Sequence, residues 1–90
     1  MTMAHNGLAK LIEECGEVAQ IAGKLLAYPN GNHPDGKGNL VERLQDELGD
    51  LEAAIQFICE AKGLDRRWAI QKRYEQKLVT FRAWHADPNN

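Results

Sequence analysis

Two short acidic segments hold the residues of this 90-residue chain that are best suited to chemistry. The first reads Glu13-Glu14-Cys15-Gly16-Glu17, and the second reads Glu47-Leu48-Gly49-Asp50. In each segment two carboxylates stand three positions apart, so at about 100° per residue they share one face of a helix. Each pair can therefore converge on one ion.

The four carboxylates of these pairs would repel one another if helix packing brought them together, and they would then need a cation. They offer oxygen ligands only, which Mg²⁺ and Mn²⁺ prefer and Zn²⁺ does not. A ferritin-type di-iron site would need Glu-x-x-His, which neither segment contains. We therefore predict a magnesium site, with Mn²⁺ as a substitute, formed by Glu14, Glu17, Glu47 and Asp50. The alternative is that these acids only coat a solvated face, as we expect for Glu13.

Basic side chains near the acidic pairs have two interpretations. Lys10 and Lys24 fall on the helix stripe of the first acidic pair, and Arg43 falls on that of the second. They either donate to the phosphates of an anionic substrate or form surface ion pairs with the carboxylates. Lys77 and Arg82, further along the chain, carry the same two interpretations.

Three amphipathic helices are predicted to position these residues, at about residues 6–27, 39–62 and 65–84. Residues 28–38 are dense in Gly, Pro, Asn and Asp, which predicts a long loop. This loop, with His33 and Lys37, either reaches over a site or serves only as a connector, and we favour the connector. Asn39 and Asp65 are placed to cap two helices, and Gly63 is placed to end one. The apolar stripe of the first helix contains Leu8, Leu11, Ile12, Cys15, Val18, Ala19, Ala22, Leu25 and Leu26.

The pattern predicts one all-α domain over residues 1–90, an antiparallel helical bundle completed by oligomerisation. So short a chain cannot cover every apolar side chain of three helices, which favours a homo-oligomer, either a dimer or a dimer of dimers. Several apolar residues lie outside the main stripes and are expected at subunit contacts, because large side chains are frequent there. They are Ile21, Phe57, Trp68 and Trp84.

Glycines and cysteines on the helices give two further expectations. Gly16 and Gly49 lie beside the acidic pairs, although glycine inside a helix costs about 1 kcal/mol relative to alanine. We therefore expect a close helix approach or a bound ligand there. Cys15 and Cys59 lie on apolar sides without a CxxC or Cys/His companion, which predicts buried, reduced thiols.

Composition excludes several classes of partner. Eleven basic against thirteen acidic residues give a net charge of -2 without a basic block, which argues against a duplex nucleic acid partner. No apolar run approaches the ~18 residues of a membrane span, and residues 1–6 lack the apolar segment of a signal peptide. We therefore expect a cytoplasmic protein that binds a small molecule.

The acidic segments resemble those of the MazG-like all-alpha nucleotide pyrophosphohydrolase superfamily, whose hallmark is Glu-Glu-x-x-Glu followed by Glu-x-x-Asp. The surrounding LAKLIEECGEVAQ and ERLQDELGDLEAAIQFI are similar to that family's first two core helices, and the resemblance extends from about Leu8 to Arg82. It implies that magnesium is bound by the four predicted acids and that Lys77 and Arg82 help to bind a nucleotide. The asparagine that many members carry on the third helix is missing from Tyr74-Glu75-Gln76.

The resemblance implies hydrolysis of a nucleoside triphosphate to a monophosphate and pyrophosphate by a metal-activated water, with Glu14 as the first choice of base. A phosphoribosyl-ATP pyrophosphohydrolase-like activity is an alternative, and dUTP or a tetraphosphate alarmone remains open as substrate. An alternative from a different functional class is a non-catalytic helical oligomer that binds a nucleotide or a metal.

Overall fold

Helices make up most of the chain. The computed structural model describes residues 3–89, with side chains from residue 7 onward. The elements are α1 (Met3–Ala27), α2 (Leu40–Lys62), a π-helical turn (Arg66–Ile70) and α3 (Gln71–Ala86). No strand occurs between residues 3 and 89, so the predicted all-α class is confirmed. None of the helices in this range combines the length and hydropathy needed to cross a membrane.

Both ends of α2 form as the sequence predicts. The Asn39 side chain accepts hydrogen bonds from the backbone N–H groups of Val41, at 2.8 Å, and Glu42, at 3.3 Å. These bonds satisfy donors that have no partner in the first turn of a helix. At the other end Gly63 adopts a left-handed conformation with φ 64°, which favours glycine because no Cβ is present to clash.

The third helical segment differs from the predicted continuous helix over residues 65–84. Asp65 caps it as predicted, since its side chain accepts from the N–H of Trp68 at 3.0 Å. The first turn is wider than an α-helical turn, because the N–H groups of Ile70 and Gln71 bond to carbonyls five residues earlier. α3 then ends at Ala86, two residues beyond the predicted end, and residue 90 lies outside the described range.

α1 and α2 form an antiparallel pair. Gly7, near the start of α1, lies against Ile58, near the end of α2: a Cβ at Gly7 would lie 2.7 Å from Ile58 Cδ1 and 3.5 Å from Ile58 Cα. At the opposite end of the pair, Lys24 of α1 and Arg43 of α2 share one carboxylate of the connecting loop. Glycine at position 7 therefore permits close contact between the two helices.

The core between α1 and α2 is small. Its buried apolar residues are Ile21, Leu40, Ala54, Ile58 and Cys59. The prediction that Ile21 lies outside the core is wrong, because this residue is only 5% exposed. The predicted burial of the Cys59 thiol is confirmed.

Six of the nine residues in the predicted apolar stripe of α1 do not face α2. We call these six the outer face of α1: Leu8, Ile12, Cys15, Ala19, Ala22 and Leu26. All six side chains are exposed, Ile12 to 72% and Leu26 to 87%. The prediction of a buried Cys15 is therefore wrong within one chain. Spacing alone could not separate two adjacent apolar stripes on one helix.

α3 is the least supported element. Among the described residues it packs mainly on the π-helical turn, and its side chains are exposed except for the half-buried Leu78. Trp68 in the turn and Trp84 in α3 also remain exposed in the single chain. The molecule measures 40 × 35 × 16 Å, so its smallest dimension is little more than the diameter of one helix with its side chains.

Candidate metal centre

The middle of the α1–α2 pair brings together the four acids singled out in the sequence. Glu14 and Glu17 project from α1, and Glu47 and Asp50 project from α2. One carboxylate oxygen from each residue lies within 4.8 Å of the corresponding atoms of the others. Asp50 is exposed and the other three are half-buried, so the cluster lies at the edge of the small core.

Two oxygens of this acidic cluster have no protein partner. Glu14 Oε2 and Glu47 Oε2 are buried, and neither makes a hydrogen bond. None of the four acids forms an ion pair with a basic side chain of residues 7–89. A buried carboxylate oxygen without a partner is unfavourable, and an oxygen-only donor set suits a hard divalent cation. The four residues could therefore hold a hard divalent cation.

The pKa values of two acids in the cluster, Glu14 and Glu47, are raised above their ordinary values. Partial burial, followed by the adjacent Glu17 carboxylate, raises the pKa of Glu14 above its ordinary value, and Asp50 adds to the effect. Hydrogen bonding to the Glu17 carboxyl and partial burial raise the pKa of Glu47. Without a cation, the folded chain thus disfavours full ionisation of the cluster.

A cleft of about 300 Å³ opens beside the acidic cluster. One part of its wall is polar and the rest is apolar; the lining residues are Lys10, Glu14, Asp50, Ala53, Ala54 and Phe57. Lys10 Nζ forms an exposed ion pair with Glu13 at 3.1 Å, and this hydrogen bond raises the pKa of Lys10. Of the five basic residues predicted to bind substrate, Lys10 is the one that lines this cleft.

Lys24 and Arg43 contact a loop residue that the sequence did not single out. Asp35 Oδ2 lies 3.1 Å from Lys24 Nζ, and Asp35 Oδ1 lies 3.2 Å from Arg43 Nη1. The backbone N–H of Lys37 donates to the same carboxylate at 3.1 Å and is the main reason that the pKa of Asp35 lies well below its usual range, with Lys24 and Arg43 adding to the effect. Both helix cations are thus neutralised within the chain.

His33 completes the loop cluster without a charge. Its Nδ1 lies 3.2 Å from Asp35 Oδ2, but the same nitrogen accepts the backbone N–H of Asp35 at 3.0 Å. A nitrogen that accepts a hydrogen bond carries no proton, so we describe this contact as neutral. The His33 ring also packs edge-on against Tyr28, with ring centroids 4.8 Å apart. These contacts hold the loop against the ends of α1 and α2.

The remaining predicted residues lie away from the cleft. Lys77 Nζ lies over the ring of Phe81, 5.8 Å from its centroid, and Arg82 is an exposed residue of the same helix. The expected close approach at Gly16 and Gly49 is wrong within the single chain, because a Cβ at either position would meet nothing within 4 Å. Space for a ligand at these glycines stays a prediction.

Sequence reasoning missed the apolar wall of the cleft. Phe57 was expected at a subunit contact, and Ala53 and Ala54 carried no signal beyond helix propensity. Only the spacing of Phe57, seven residues after Asp50, indicates that both lie on one side of α2, since seven residues are close to two helical turns.

Comparison with known proteins adds no relative: no family model, no curated protein and no solved structure matches this chain.

Proposed function

We propose that this chain is a magnesium-dependent nucleoside triphosphate pyrophosphohydrolase, which converts a nucleoside or deoxynucleoside triphosphate and water into the monophosphate and pyrophosphate. The observation that carries the proposal is the convergence of four carboxylates in which Glu14 Oε2 and Glu47 Oε2 are buried without a partner. The resemblance of the acidic segments to the MazG-like superfamily supports the same reaction.

In this proposal the cluster formed by Glu14, Glu17, Glu47 and Asp50 holds the metal. Magnesium bound there neutralises phosphate charge and favours deprotonation of a water. Glu14 is our choice for the proton acceptor, because it lines the cleft and its buried Oε2 has no protein partner.

The cleft supplies the rest of the substrate site. Lys10 is placed to contact a phosphate oxygen, since it lines the cleft and its partner Glu13 is exposed. Ala53 and Phe57 form an apolar wall suited to the nucleoside. Lys24 and Arg43 can act on phosphate only by giving up Asp35, and Lys77 and Arg82 only if a second chain brings α3 to the cleft.

The test is a substrate panel with and without metal. Purified protein is incubated with each ribo- and deoxynucleoside triphosphate, phosphoribosyl-ATP and a tetraphosphate alarmone, in Mg²⁺, Mn²⁺ or EDTA, and pyrophosphate and monophosphate are quantified. We expect turnover of at least one triphosphate with Mg²⁺ and none with EDTA.

Each other outcome has a defined meaning. Full turnover in EDTA would refute metal dependence. Hydrolysis of phosphoribosyl-ATP alone would favour the alternative enzyme. Binding of Mg²⁺ or nucleotide by calorimetry without any turnover would replace the proposal with the non-catalytic one.

A further inference from the structure

One face of α3 carries aromatic and basic side chains together. At about 100° per residue, five residues fall within an arc of about 100°, and no other α3 residue falls between them. We call these five the aromatic-basic stripe: Arg73, Tyr74, Lys77, Phe81 and Trp84. All five are exposed, and the exposed fractions of the three aromatic residues lie between 55% and 64%. The stripe is about 17 Å long, at about 1.5 Å per residue.

The segment that carries this stripe has a net charge opposite to that of the rest of the chain. Residues 64–90 contain six basic and three acidic residues, a net charge of +3, whereas residues 1–63 contain five basic and ten acidic residues, a net charge of -5. Glu75, the one acid of α3, points about 140° away from the middle of the stripe and accepts a hydrogen bond from Gln71 at 3.2 Å. The stripe should therefore attract anions.

The cations of the stripe are not neutralised within the chain. Neither Arg73 nor Lys77 forms an ion pair with an acid of residues 7–89. Lys77 Nζ instead lies over the ring of Phe81, 5.8 Å from its centroid. Both charges thus remain available to an external anion, unlike those of the two helix cations that the loop carboxylate holds.

A cleft of about 550 Å³ opens at the N-terminal end of the stripe. Tyr74 forms part of its wall, and Ile55 and Ile70 add apolar surface. Sites that hold small organic ligands have volumes of about 300–1,000 Å³. The cleft therefore has room for one nucleobase beside the Tyr74 ring.

We propose that the aromatic-basic stripe binds single-stranded nucleic acid: its three rings stack on bases, and Arg73 and Lys77 pair with phosphates. Surfaces that bind single strands combine cations along the backbone with rings on which successive bases stack. At about 3.4 Å per nucleotide, the stripe spans about five nucleotides. A duplex offers no free base to these rings.

Two other partners fit the stripe less well. A helix that lies on a membrane gathers its apolar residues on one face, but Val79, which is 69% exposed, lies about 160° from Phe81 around α3. A second copy with the same stripe across a twofold axis would bring like charges together, because Arg73 and Lys77 would face their own counterparts.

The test measures binding of a labelled strand to the parent protein by fluorescence anisotropy. The probe is an oligo(dT) of about 12 nucleotides, within the site sizes of about 4–16 nucleotides found in single-strand binding domains. EDTA is present, so that no metal links phosphate to the acidic cluster. We expect a dissociation constant of about 1–100 µM, and two paired phosphates predict about sevenfold weaker binding when salt rises fourfold. A duplex of the same length should bind more weakly.

Matched variants assign the binding to the stripe. Phe81→Ala should weaken binding by about fivefold or more, because a stacked base is lost. Lys77→Gln should weaken binding and reduce its salt dependence by about half. Val79→Ala and Lys72→Gln remove an apolar and a basic side chain from the other side of α3, and both should bind the strand as the parent does. All four positions are exposed, so each variant is expected to keep its helical circular dichroism.

Four results would overturn the proposal. The first is no binding at low salt with about 100 µM protein. The second is an equal loss of binding in Lys77→Gln and Lys72→Gln, which would indicate general charge attraction. The third is equally tight binding to phosphatidylserine and phosphatidylcholine vesicles that Phe81→Ala also loses, which would assign the stripe to a lipid surface. The fourth is a Phe81→Ala variant that binds the strand as the parent does but has a lower mass in sedimentation equilibrium, which would assign the stripe to a second copy.

The charge variants keep the test decisive if Phe81→Ala fails to fold. In that case the comparison of Lys77→Gln with Lys72→Gln decides. The strand measurement is also independent of the proposed activity, because it uses neither metal nor hydrolysis. Glu47→Gln, which should lose that activity, is expected to bind the strand as the parent does.

Discussion

The two charged clusters of this chain differ in whether their carboxylates have basic partners. Asp35 in the loop has two basic side chains and a backbone N–H around it. The acidic cluster gathers four carboxylates and, within residues 7–89, has no basic side chain in an ion pair with any of them. The pKa of Asp35 is lowered as a result, and those of Glu14 and Glu47 are raised.

This difference shows that the chain does not lack cations for its acids. Lys24 and Arg43 lie on the same two helices as the acidic cluster but reach the loop instead. The acidic cluster is thus selectively left without charge compensation, which is the arrangement that a bound divalent cation would complete. The loop cluster holds the loop to α1 and α2, whereas the carboxylates of the acidic cluster remain available to a cation.

Substitution in the acidic cluster should have the largest effect. Glu47→Gln and Asp50→Asn are each expected to lower the initial rate of nucleotide hydrolysis by about 100-fold or more, because each removes a charged ligand from the metal. Their helical circular dichroism should stay close to that of the parent chain, since the loss of one charge reduces repulsion in the cluster.

Asp46→Asn provides the matched control for these rates. Asp46 is an exposed acid of the same helix, outside the cluster. The variant is expected to hydrolyse nucleotide at nearly the parent rate. Equal rates for all three variants and the parent would mean that the acidic cluster is not the site of the reaction.

Metal binding should have the next largest effect, measured without substrate. A ligand that binds only the folded chain at 100 times its dissociation constant raises the Tm of a domain of this size by roughly 15 °C. We expect such a rise on adding Mg²⁺ to EDTA-treated parent protein and to Asp35→Asn, measured by differential scanning fluorimetry. The rise should be lost in Glu47→Gln. A rise of the same size in Glu47→Gln would place the cation elsewhere.

We expect the smallest effects from pH, measured as the free energy of unfolding in EDTA. As pH rises, ionisation in the acidic cluster should destabilise the fold, whereas ionisation of Asp35 should stabilise it. The pKa of Glu47 is higher in the folded chain than in the unfolded chain. Its ionisation therefore destabilises the fold as pH rises from the unfolded pKa through the higher folded pKa. The stabilisation from Asp35 is instead complete above the unfolded pKa and is lost as pH falls through the lowered folded pKa.

Urea denaturation from about pH 2 to about pH 8 tests this difference, because ordinary carboxyl pKa values of about 4 lie well inside that range. Relative to the parent, Glu47→Gln should gain stability as pH rises above the ordinary glutamate pKa. Asp35→Asn should be less stable than the parent at neutral pH and approach it in acid. Parallel curves for the parent and both variants would show that neither cluster is coupled to folding.

Much of the local structure could be predicted because it depends on neighbours in sequence. Asn39, Gly63 and Asp65 act on groups within a few residues, and their cap roles follow from side-chain type. The convergence of the acids could also be anticipated, since matched spacing on two antiparallel helices suffices. The partner of Lys24 and Arg43 could not, because Asp35 is 11 and 8 residues from them and only the folded loop brings it there.

The core was predicted less well for a different physical reason. α1 carries two adjacent apolar stripes, and periodicity alone cannot tell which one meets α2. Gly7 lies on the stripe that meets α2, and the absence of a side chain there leaves room for Ile58. Ile21, on the same stripe, is also buried, whereas Ile12 on the other stripe is exposed.

The π-helical turn at Arg66–Ile70 determines which way the side chains of α3 face around the helix axis. A turn closed by bonds over five residues holds about one residue more than an α-helical turn, and one residue corresponds to a rotation of about 100°. Deleting one residue there would restore an α-helical turn and rotate the side chains of α3 by that angle. Tyr74, which lines a cleft with Ile55 of α2, would then point away from it. A single-residue deletion in this turn would thus change the surface that α3 presents without changing any side chain of α3.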